Sequence, residues 1–252
     1  MPGREKDSYN IRSVENALHL LEALADEESS CSLAQLSQRL DMTKASLFRM
    51  MATFENHGYV ERGNLSGEYQ LGLAAFEVSQ KLLSKMTLLR KARPAMAQLV
   101  RQCNETVYLV VQRDREALFL EMLDNDQKVK VIPLTSQRFP LEECAAGKIF
   151  LTFDETNQPL TTDHPELLNE ISHCRKQGYC IDNNGIGEGS TCIAVPLFKS
   201  GKILTGCLAL IAPSFRTDEN RINKELAPAL KAAGEMISAQ LGHNAYTPRS
   251  IP

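Results

Sequence analysis

A short run of small, hydroxyl-bearing and cationic residues between Thr43 and Thr53 has the side chains needed to recognise a nucleic acid. Within this run and just after it, apolar residues recur at helical spacing and mark one buried helix face: Leu47, Met50, Met51 and Phe54. The opposite face has no acidic side chain. Arg49 can donate two parallel hydrogen bonds to a guanine edge or a phosphate, and Ser46 can bond either group. The chemistry of this face therefore fits the major groove of DNA.

Two helices joined by a tight turn would position this face. The first is predicted from Ser32 by the helical spacing of three leucines, Leu33, Leu36 and Leu40. A break at Asp41-Met42 follows, Thr43 is placed to cap the second helix, and Gly58 ends it. This arrangement is a helix-turn-helix, whose second helix enters the major groove. A core αα-hairpin with a solvated polar face would produce the same pattern.

A β-hairpin follows the second helix directly. Tyr59–Arg62 and Glu68–Leu71 are strand-like, and residues 63–67 have turn chemistry. A hairpin at this place is a wing, from which Arg62 and Asn64 can reach the DNA backbone. We therefore expect nine residues to bind DNA: Thr43, Lys44, Ala45, Ser46, Phe48, Arg49, Thr53, Arg62 and Asn64.

The overall charge gives only weak support to nucleic-acid binding. The 252-residue chain has a net charge of −3, which argues against a wholly basic nucleic-acid coat. Residues 39–62 have four basic side chains against three acidic ones. An acidic cluster lies elsewhere, at the end of the first helix: Glu22, Asp26, Glu27 and Glu28. Specificity must then come from individual contacts rather than bulk charge.

Cysteine usage and hydropathy predict the compartment. The seven cysteines include no closely spaced pair of the CxxC type, the first ten residues are polar, and no apolar run reaches membrane-spanning length. We expect a cytoplasmic protein with free thiols and no membrane association.

Two further helices flank this region. Ser13 can cap the first, which runs to about Ala25 with a predicted inner face of Val14, Ala17, Leu18, Leu21 and Leu24. After the wing, Leu73 to Leu89 is continuously helix-compatible and broadly apolar. Pairing with the same helix of a second chain would bury this surface in a two-fold homodimer. Packing of the helix on its own domain is the alternative.

The remainder mixes strands and helices. Pro94 is expected to begin a helix that ends near Cys103. Strands are predicted at Thr106–Gln112, Ala117–Leu123, Val129–Leu134, Tyr179–Asp182, Cys192–Phe198 and Ile203–Ile211. Helices are predicted at Leu141–Phe153, at His164–Gln177 and from a Thr217 cap to about Leu241. This is an α+β domain around a mainly antiparallel sheet.

The chain as a whole resembles the isocitrate lyase regulator (IclR) family of bacterial transcription factors. The resemblance rests on pieces that are weak alone but specific in this order: Lys44–Phe54, Gly58–Val60, Tyr69–Gly72, Glu105–Val107, Pro140–Leu141, Ala146–Lys148, Arg175–Tyr179, Cys192–Pro196, Pro213 and Arg216. It implies a winged helix-turn-helix over residues 1–72, a linker helix over 73–90 and a GAF-like effector domain over 91–245. It also implies dimers that pair into tetramers.

The resemblance places an effector pocket between the sheet and the loops around residues 134–147 and 180–192. The helix start Ala145–Gly147 would offer backbone N–H groups to a ligand carboxylate, as helix N-termini do. Close packing of that helix on the sheet would explain the same small residues. Asp182 and Cys192 match pocket positions, although Asp182 could cap a turn and Cys192 could be a small buried hydrophobe. The expected effector-binding residues are Leu134, Cys144, Ala145, Ala146, Gly147, Asp182, Cys192, Ala209 and Ile211.

Departures from the family pattern concern the ligand. Glu142 replaces a common histidine, and Asn184-Gly185 replaces an acidic pair. Ala209 and Ile211 replace serine-rich positions and so remove hydroxyl donors. A polar keto acid would lose about 1–3 kcal/mol per unpaired bond there, whereas an apolar body is favoured by burial. The resemblance implies a ligand-responsive, DNA-binding regulator of catabolic genes. We therefore expect its effector to be a small carboxylate with an aromatic or other hydrophobic body.

Other kinds of site and function have less support. The loop Gly185–Gly189 is either a mobile lid or a flexible connection. A metal site would need convergence of Cys144, Cys180, Cys192 and Cys207, which have no ligand spacing. His164 or His173 could activate a cysteine, but no nucleophile motif accompanies them. We expect no enzyme, metal or cofactor. The alternative function is a ligand-independent DNA-binding or interaction protein with a filled effector domain.

Overall fold

A computed structural model describes residues 10–27, 30–154, 156 and 165–243. The chain divides into two compact units, residues 1–85 and 86–252. In the first unit the elements are α1 (Arg12–Ala25), β1 (Cys31–Ser32), α2 (Leu33–Leu40), α3 (Lys44–Asn56), β2 (Val60–Arg62), β3 (Glu68–Leu71) and α4 (Leu73–Lys85). Strand order is β1-β3-β2, all antiparallel. The predicted winged helix-turn-helix is confirmed.

Local capping chemistry sets the helix-turn-helix. Ser32 and Gln35 form a reciprocal capping box at the start of α2. Asp41 takes the left-handed conformation (φ 51°), which turns the chain sharply between the helices. Thr43 Oγ1 then accepts a hydrogen bond from the Ser46 N–H at 3.2 Å, so the predicted cap of α3 is confirmed.

The core of the first unit corrects the predicted inner face of α1. The buried residues of this helix are Leu20, Ala23 and Leu24, whereas Val14 and Leu18 are more than half exposed. The helix has apolar residues on two sides, and only one side packs against Leu36, Leu47 and the other core residues. The prediction of Leu24 as inward is correct, and that of Val14 and Leu18 is wrong.

The predicted continuous helix from Leu73 to Leu89 is also wrong. Met86 has extended backbone angles (φ −73°, ψ 99°) and separates α4 from α5 (Thr87–Cys103). Pro94 lies inside α5 rather than at its start. A proline costs one backbone hydrogen bond there, but the helix buries seven residues, and this packing outweighs the local preference.

The second unit is built on a six-stranded antiparallel sheet of order β6-β5-β4-β9-β8-β7. Its strands are β4 (Thr106–Arg113), β5 (Glu116–Leu123), β6 (Arg138–Pro140), β7 (Cys180–Asn183), β8 (Ser190–Lys199) and β9 (Ile203–Pro213). The helices are α5, α6 (Ala145–Phe153), α7 (Pro165–Gln177), α8 (Glu219–Arg221) and α9 (Ala227–Gln240), with a π-helical turn over Ile222–Leu226. Helices α6 and α9 both contact β8, and the predicted α+β class is confirmed.

One predicted strand, Val129–Leu134, is not a strand. Its backbone groups bond to side chains, since the Val129 carbonyl accepts from Arg216 and the Leu134 N–H donates to the Tyr108 hydroxyl. Arg138–Pro140 pairs with β5 instead and forms the sheet edge. The β-rich composition of Val129–Leu134 predicted a strand, but hydrogen bonds to side chains take the place of the backbone bonds that would pair this segment with a sheet.

A buried ion cluster joins the start of β4 to the segment between β9 and α9. Glu105, at the start of β4, is fully buried. Its carboxylate accepts from Arg216 Nε at 3.0 Å and Nη2 at 2.7 Å, and from Arg221 Nη1 at 2.8 Å. Arg221 also donates to the Cys103 carbonyl, at the end of α5. Glu105 and Arg216, two of the residues that carry the family resemblance, thus join the start of β4 to the segment that follows β9.

Candidate nucleic-acid interface and effector site

The outward face of α3 is open to solvent. Leu47 and Met51 are buried beneath it, and the face itself is formed by exposed residues: Lys44, Ala45, Ser46, Phe48, Arg49 and Thr53, with Thr43 at the cap. Among the described residues, Arg49 and Lys44 have no salt-bridge partner. Both cations are therefore available to an anionic partner, and Phe48 can contact an apolar base edge.

Arg62 of the wing has a local role that the sequence did not reveal. Its guanidinium bonds to both carboxylate oxygens of Glu55, at 3.0 and 3.2 Å, and donates to the Tyr69 hydroxyl at 2.8 Å. It also lies over the Tyr69 ring. These contacts fasten β2 to α3. A phosphate contact by Arg62 would compete with Glu55, and it stays a prediction, as does that of the exposed Asn64.

The acidic cluster is partly neutralised within the first unit. Arg39 of α2 pairs with Asp26 at 2.6 Å and with Glu27 at 3.0 Å, and it donates to the Ala23 carbonyl. These contacts join α2 to the end of α1 and leave the α3 face without that acidic charge. Glu28 lies outside the described residues.

The nine predicted effector residues meet on the α6 side of the sheet. Seven belong to one apolar cluster: Leu134, Cys144, Ala145, Ala146, Cys192, Ala209 and Ile211. Gly147 and Asp182 are buried as well. The sheet strands β7, β8 and β9 supply the floor, and the start of α6 supplies the wall. In the conformation described, this site is closed by its own side chains.

An internal carboxylate already occupies the start of α6. Asp182 accepts hydrogen bonds from the Ala145 N–H and, at 3.1 Å, from the Gly185 N–H. Burial raises the pKa of Asp182, and these two hydrogen bonds and the nearby Lys148 act against that rise. The helix N-terminus is thus an anion site, and the chain's own Asp182 fills it.

Close packing accounts for the glycine at this helix start. A Cβ on Gly147 would lie 2.4 Å from the Leu141 carbonyl oxygen, which no real contact permits. The Gly147 N–H donates to Cys144 Sγ at 3.3 Å. This N–H is therefore engaged within the chain, and the alternative of packing explains the need for Gly147.

Aromatic residues also line the site, although none was among the residues predicted from the sequence. Tyr108 of β4 is buried opposite Ala209, and its hydroxyl accepts from the Leu134 N–H at 3.3 Å. Its ring meets Phe119 edge to face, and Phe119 meets Phe139 in the same way. Burial raises the pKa of Tyr108 to about 12. Side chains two residues apart on a strand share a face, so the predicted strand Thr106–Gln112 could have indicated Tyr108 beside Val110.

The glycine-rich loop covers the site. Ile186 is buried in the same apolar cluster as Cys144 and Cys192. A Cβ on Gly185 would lie 2.3 Å from the Glu143 carbonyl oxygen, so the loop packs tightly against the segment that precedes α6. Gly187 (φ 141°) and Gly189 (φ 76°) take conformations that favour glycine. The loop therefore separates the apolar cluster from solvent in the conformation described.

The prediction that all thiols are free is wrong for one pair. Cys174 and Cys180 form a disulfide, while Cys31, Cys103, Cys144, Cys192 and Cys207 are free and buried. Burial raises the pKa of Cys103 to about 11 and that of Cys144 to about 12. In the described part of the chain, no group of three or more His, Cys, Asp or Glu could hold a metal ion.

His173 is exposed, and its Nδ1 lies 3.1 Å from the Asn169 carbonyl in its own helix. His164 lies outside the described residues. In the described segments, no helix is both long and apolar enough to cross a membrane.

Comparison with known proteins identifies the family. Residues 80–239 match the family described as "Bacterial transcriptional regulator IclR C-terminal", and residues 13–63 match the "IclR helix-turn-helix domain". The chain belongs to the IclR family. It is 30% identical to the HTH-type transcriptional regulator KdgR of Escherichia coli (strain K12) over 257 residues, covering 96% of this chain and 97% of that protein. This IclR-family protein is a DNA-binding transcriptional regulator, and its curated relatives are regulators rather than enzymes.

Solved structures share the fold. The IclR transcriptional regulator from Alicyclobacillus acidocaldarius superposes with a TM-score of 0.80 at 21% identity, over 93% of this chain and 100% of that one. An IclR homolog from Microbacterium hydrocarbonoxydans, solved in complex with 4-hydroxybenzoate, superposes with a TM-score of 0.77 at 22% identity. The match covers 91% of this chain and 98% of that one. At these identities the likeness establishes the architecture of both units.

Proposed function

We propose that this protein is a ligand-responsive repressor of catabolic genes, which binds its operator as a homodimer and takes a small hydrophobic carboxylate as effector. The observation that carries the proposal is the open face of α3, where Arg49 has no salt-bridge partner among the described residues. A cation that the fold leaves unpaired on a helix-turn-helix is suited to a base edge or a phosphate.

Arg49 provides the first test. If it reads a base edge, Arg49→Ala should cost about 1–3 kcal/mol of operator binding and relax specificity at one position in each half-site. If Arg49 contacts only phosphate, Arg49→Ala should weaken binding to all DNA sequences equally. Arg101→Ala is the matched control, since Arg101 is an exposed arginine of the other unit. Unchanged binding by Arg49→Ala would remove this residue from the interface.

Two exposed apolar helix faces in the first unit support a homodimer. On α4 no residue is buried, and Leu73, Phe76 and Leu82 are each at least 60% exposed. Val14 and Leu18 of α1 are exposed at helical spacing, and Ile11, the residue just before the helix, is exposed as well. Single monomers seldom expose such faces, and a two-fold partner would cover them. We further propose that two dimers pair into a tetramer.

The dimer is tested by its mass in solution. Phe76→Asp should shift the protein toward monomer in analytical ultracentrifugation, because it places a charge in the proposed interface. Ile203→Asp is a control, as Ile203 is exposed in the other unit. A monomeric wild-type protein at micromolar concentration would contradict the proposal.

The composition of the effector site supports a hydrophobic acid. Ala209 and Ile211 give the floor no hydroxyl group, and Tyr108 and Phe119 add aromatic surface. The related protein from Microbacterium hydrocarbonoxydans was crystallised with 4-hydroxybenzoate, an acid of this kind. We propose that the ligand carboxylate replaces that of Asp182 at the Ala145 N–H, and that the loop Gly185–Gly189 moves to admit the ligand.

Ligand choice can be tested by thermal shift and calorimetry. Benzoate and 4-hydroxybenzoate should stabilise the wild-type protein more than pyruvate or glyoxylate do. Ala209→Ser restores one hydroxyl and should move the preference toward the keto acids by about 1–3 kcal/mol. Stabilisation by pyruvate alone would refute the proposal that the floor of the site selects a hydrophobic acid. Stabilisation only by uncharged or cationic compounds would refute the proposal that the start of α6 binds the ligand carboxylate.

Closure of the site supports a second candidate function. All nine predicted effector residues are buried by the chain's own side chains, as a filled effector domain requires. The protein would then be a dimeric DNA-binding or interaction protein that ignores small molecules. Operator binding without any stabilisation by carboxylates would favour this alternative.

A further inference from the structure

Two cysteines meet where helix α7 leads into strand β7. Cys174 lies in the last turn of α7, and Cys180 is the first residue of β7. Their Cα atoms are 4.9 Å apart, within the range that a disulfide allows, and their sulfurs are bonded. Gly178, in the left-handed conformation (φ 79°), turns the chain between them. Of the seven cysteines, only these two are paired.

This pair is close to the effector site along the same strand. Side chains two residues apart on a strand share a face, so Cys180 and Asp182 point to the same side of β7. Both are buried, and Asp182 holds the Ala145 N–H at the start of α6. Cys174 and Cys180 also belong to the apolar cluster that contains Cys144 and Ala145. A bond at Cys180 thus fixes the strand two residues before the capping carboxylate.

We propose that Cys174 and Cys180 form a reversible thiol–disulfide switch, oxidised by a hydroperoxide, that sets how firmly β7 holds Asp182 against α6. Its regulatory meaning rests on the proposed effector site. Disulfides in reducing compartments are usually transient and redox-sensing rather than structural, and a bond that spans only the turn between α7 and β7 can open without unfolding the sheet.

The chemistry needs only the two thiols and a peroxide. One thiolate attacks a peroxide oxygen, which gives a sulfenic acid and releases water or an alcohol. The second thiol attacks the sulfenic sulfur, forms the S–S bond and releases water. Two electrons pass from the thiols to the peroxide, and a dithiol reductant reverses the step by exchange.

Access favours a small oxidant. The two cysteines are 1% and 3% exposed, which excludes bulky reactants from the closed conformation. The turn that joins them, Arg175–Gly178, forms one wall of a surface cleft of about 820 Å³. Lys231 lines the same cleft and donates to the Gln177 carbonyl.

The test compares the full chain in reduced and peroxide-treated forms. Non-reducing peptide mapping by mass spectrometry should show Cys174 linked to Cys180 after stoichiometric hydrogen peroxide. Hydrogen exchange of residues 144–148 should be roughly tenfold slower in the oxidised form, because a closed loop opposes local opening of β7. Cys174→Ser and Cys180→Ser should abolish the difference. Cys103→Ser, a buried free thiol outside the pair, should keep it.

Absence of the linked peptide, or equal exchange in the two forms, would overturn the proposal. The reduced and oxidised wild-type chains give this comparison even if both serine variants fail to fold. Neither measurement uses DNA or a carboxylate. Failure of the switch is therefore distinguishable from failure of the proposed regulatory function, which operator and ligand binding report.

Discussion

Replacement of Glu105 by glutamine isolates the contribution of the buried ion cluster. The carboxylate is fully buried and receives three hydrogen bonds from Arg216 and Arg221. Glutamine preserves the volume but removes the charge and one acceptor oxygen. At least one guanidinium N–H then faces an amide donor, and two positive charges lose their shared partner.

The expected cost follows from the burial of the partners. Breaking a buried ion pair costs about 3–5 kcal/mol when the remaining charge cannot reach water. Arg216 and Arg221 are 16% and 23% exposed, so we expect the lower end, about 3 kcal/mol. For a unit of this size the midpoint should fall by about 6–12 °C.

Thermal unfolding followed by circular dichroism measures this change. Glu225→Gln is the control. Glu225 also pairs with Arg221, but its side chain is 46% exposed and its carboxylate oxygen lies 3.5 Å from Arg221 Nε, a longer contact than the one between Arg221 and Glu105. Removal of such an exposed partner costs less than about 0.5 kcal/mol. A shift for Glu105→Gln that is no larger than that of the control would refute the role of the cluster in holding the unit together.

Two substitutions and one labelling experiment test separate parts of the structure. Thr43→Ala should cost about 1 kcal/mol of stability in the first unit, by thermal melts, because the Ser46 N–H loses its cap; an unchanged melt would contradict this. Gly147→Ala should destabilise the second unit by more than about 2 kcal/mol, since the new Cβ meets the Leu141 backbone; normal stability would show that α6 can move. With a pKa of about 12, Cys144 has a thiolate fraction of roughly 10⁻⁴ at pH 8. Iodoacetamide should therefore label Cys144 only after denaturation. Rapid labelling of Cys144 in the folded chain would disprove its burial.

The helix-turn-helix was predictable because its determinants are local. Thr43 caps α3 through a residue three positions away, and the spacing of Leu47 and Met51 sets the buried face. The face of α1 was not predictable in the same way. It has apolar residues on two sides, and the sequence does not say which side packs against the core and which stays exposed.

The second unit shows where local patterns fail. Val129–Leu134 has the composition of a strand, but Tyr108 and Arg216 take its backbone groups from elsewhere in the chain. The Glu105 cluster joins residues more than a hundred positions apart, and no spacing rule reveals such a contact. The floor residues Cys192 and Ala209 were named from the family resemblance, and the structure brings them together in one apolar cluster.

The expectation about Asp182 depended on a contact that only the folded chain shows. Its sequence position indicated a pocket residue or a turn cap. The structure adds that its carboxylate holds the Ala145 N–H. The N–H group of Ala145 and the carboxylate of Asp182 come from segments 37 residues apart. The helix start alone therefore predicted that an anion would bind there, but not that Asp182 supplies it.

The proposal that this protein reads operator DNA through α3 is tested most directly by genomic selection followed by footprinting. The full chain would be used to retain fragments of the source genome, and the retained DNA would be footprinted with wild-type protein and with Arg49→Ala. We predict two protected half-sites related by two-fold symmetry, spaced by multiples of about ten base pairs, with protection lost or weakened in the variant. Failure of the wild-type protein to retain any fragment above the level of Arg49→Ala would contradict the proposal.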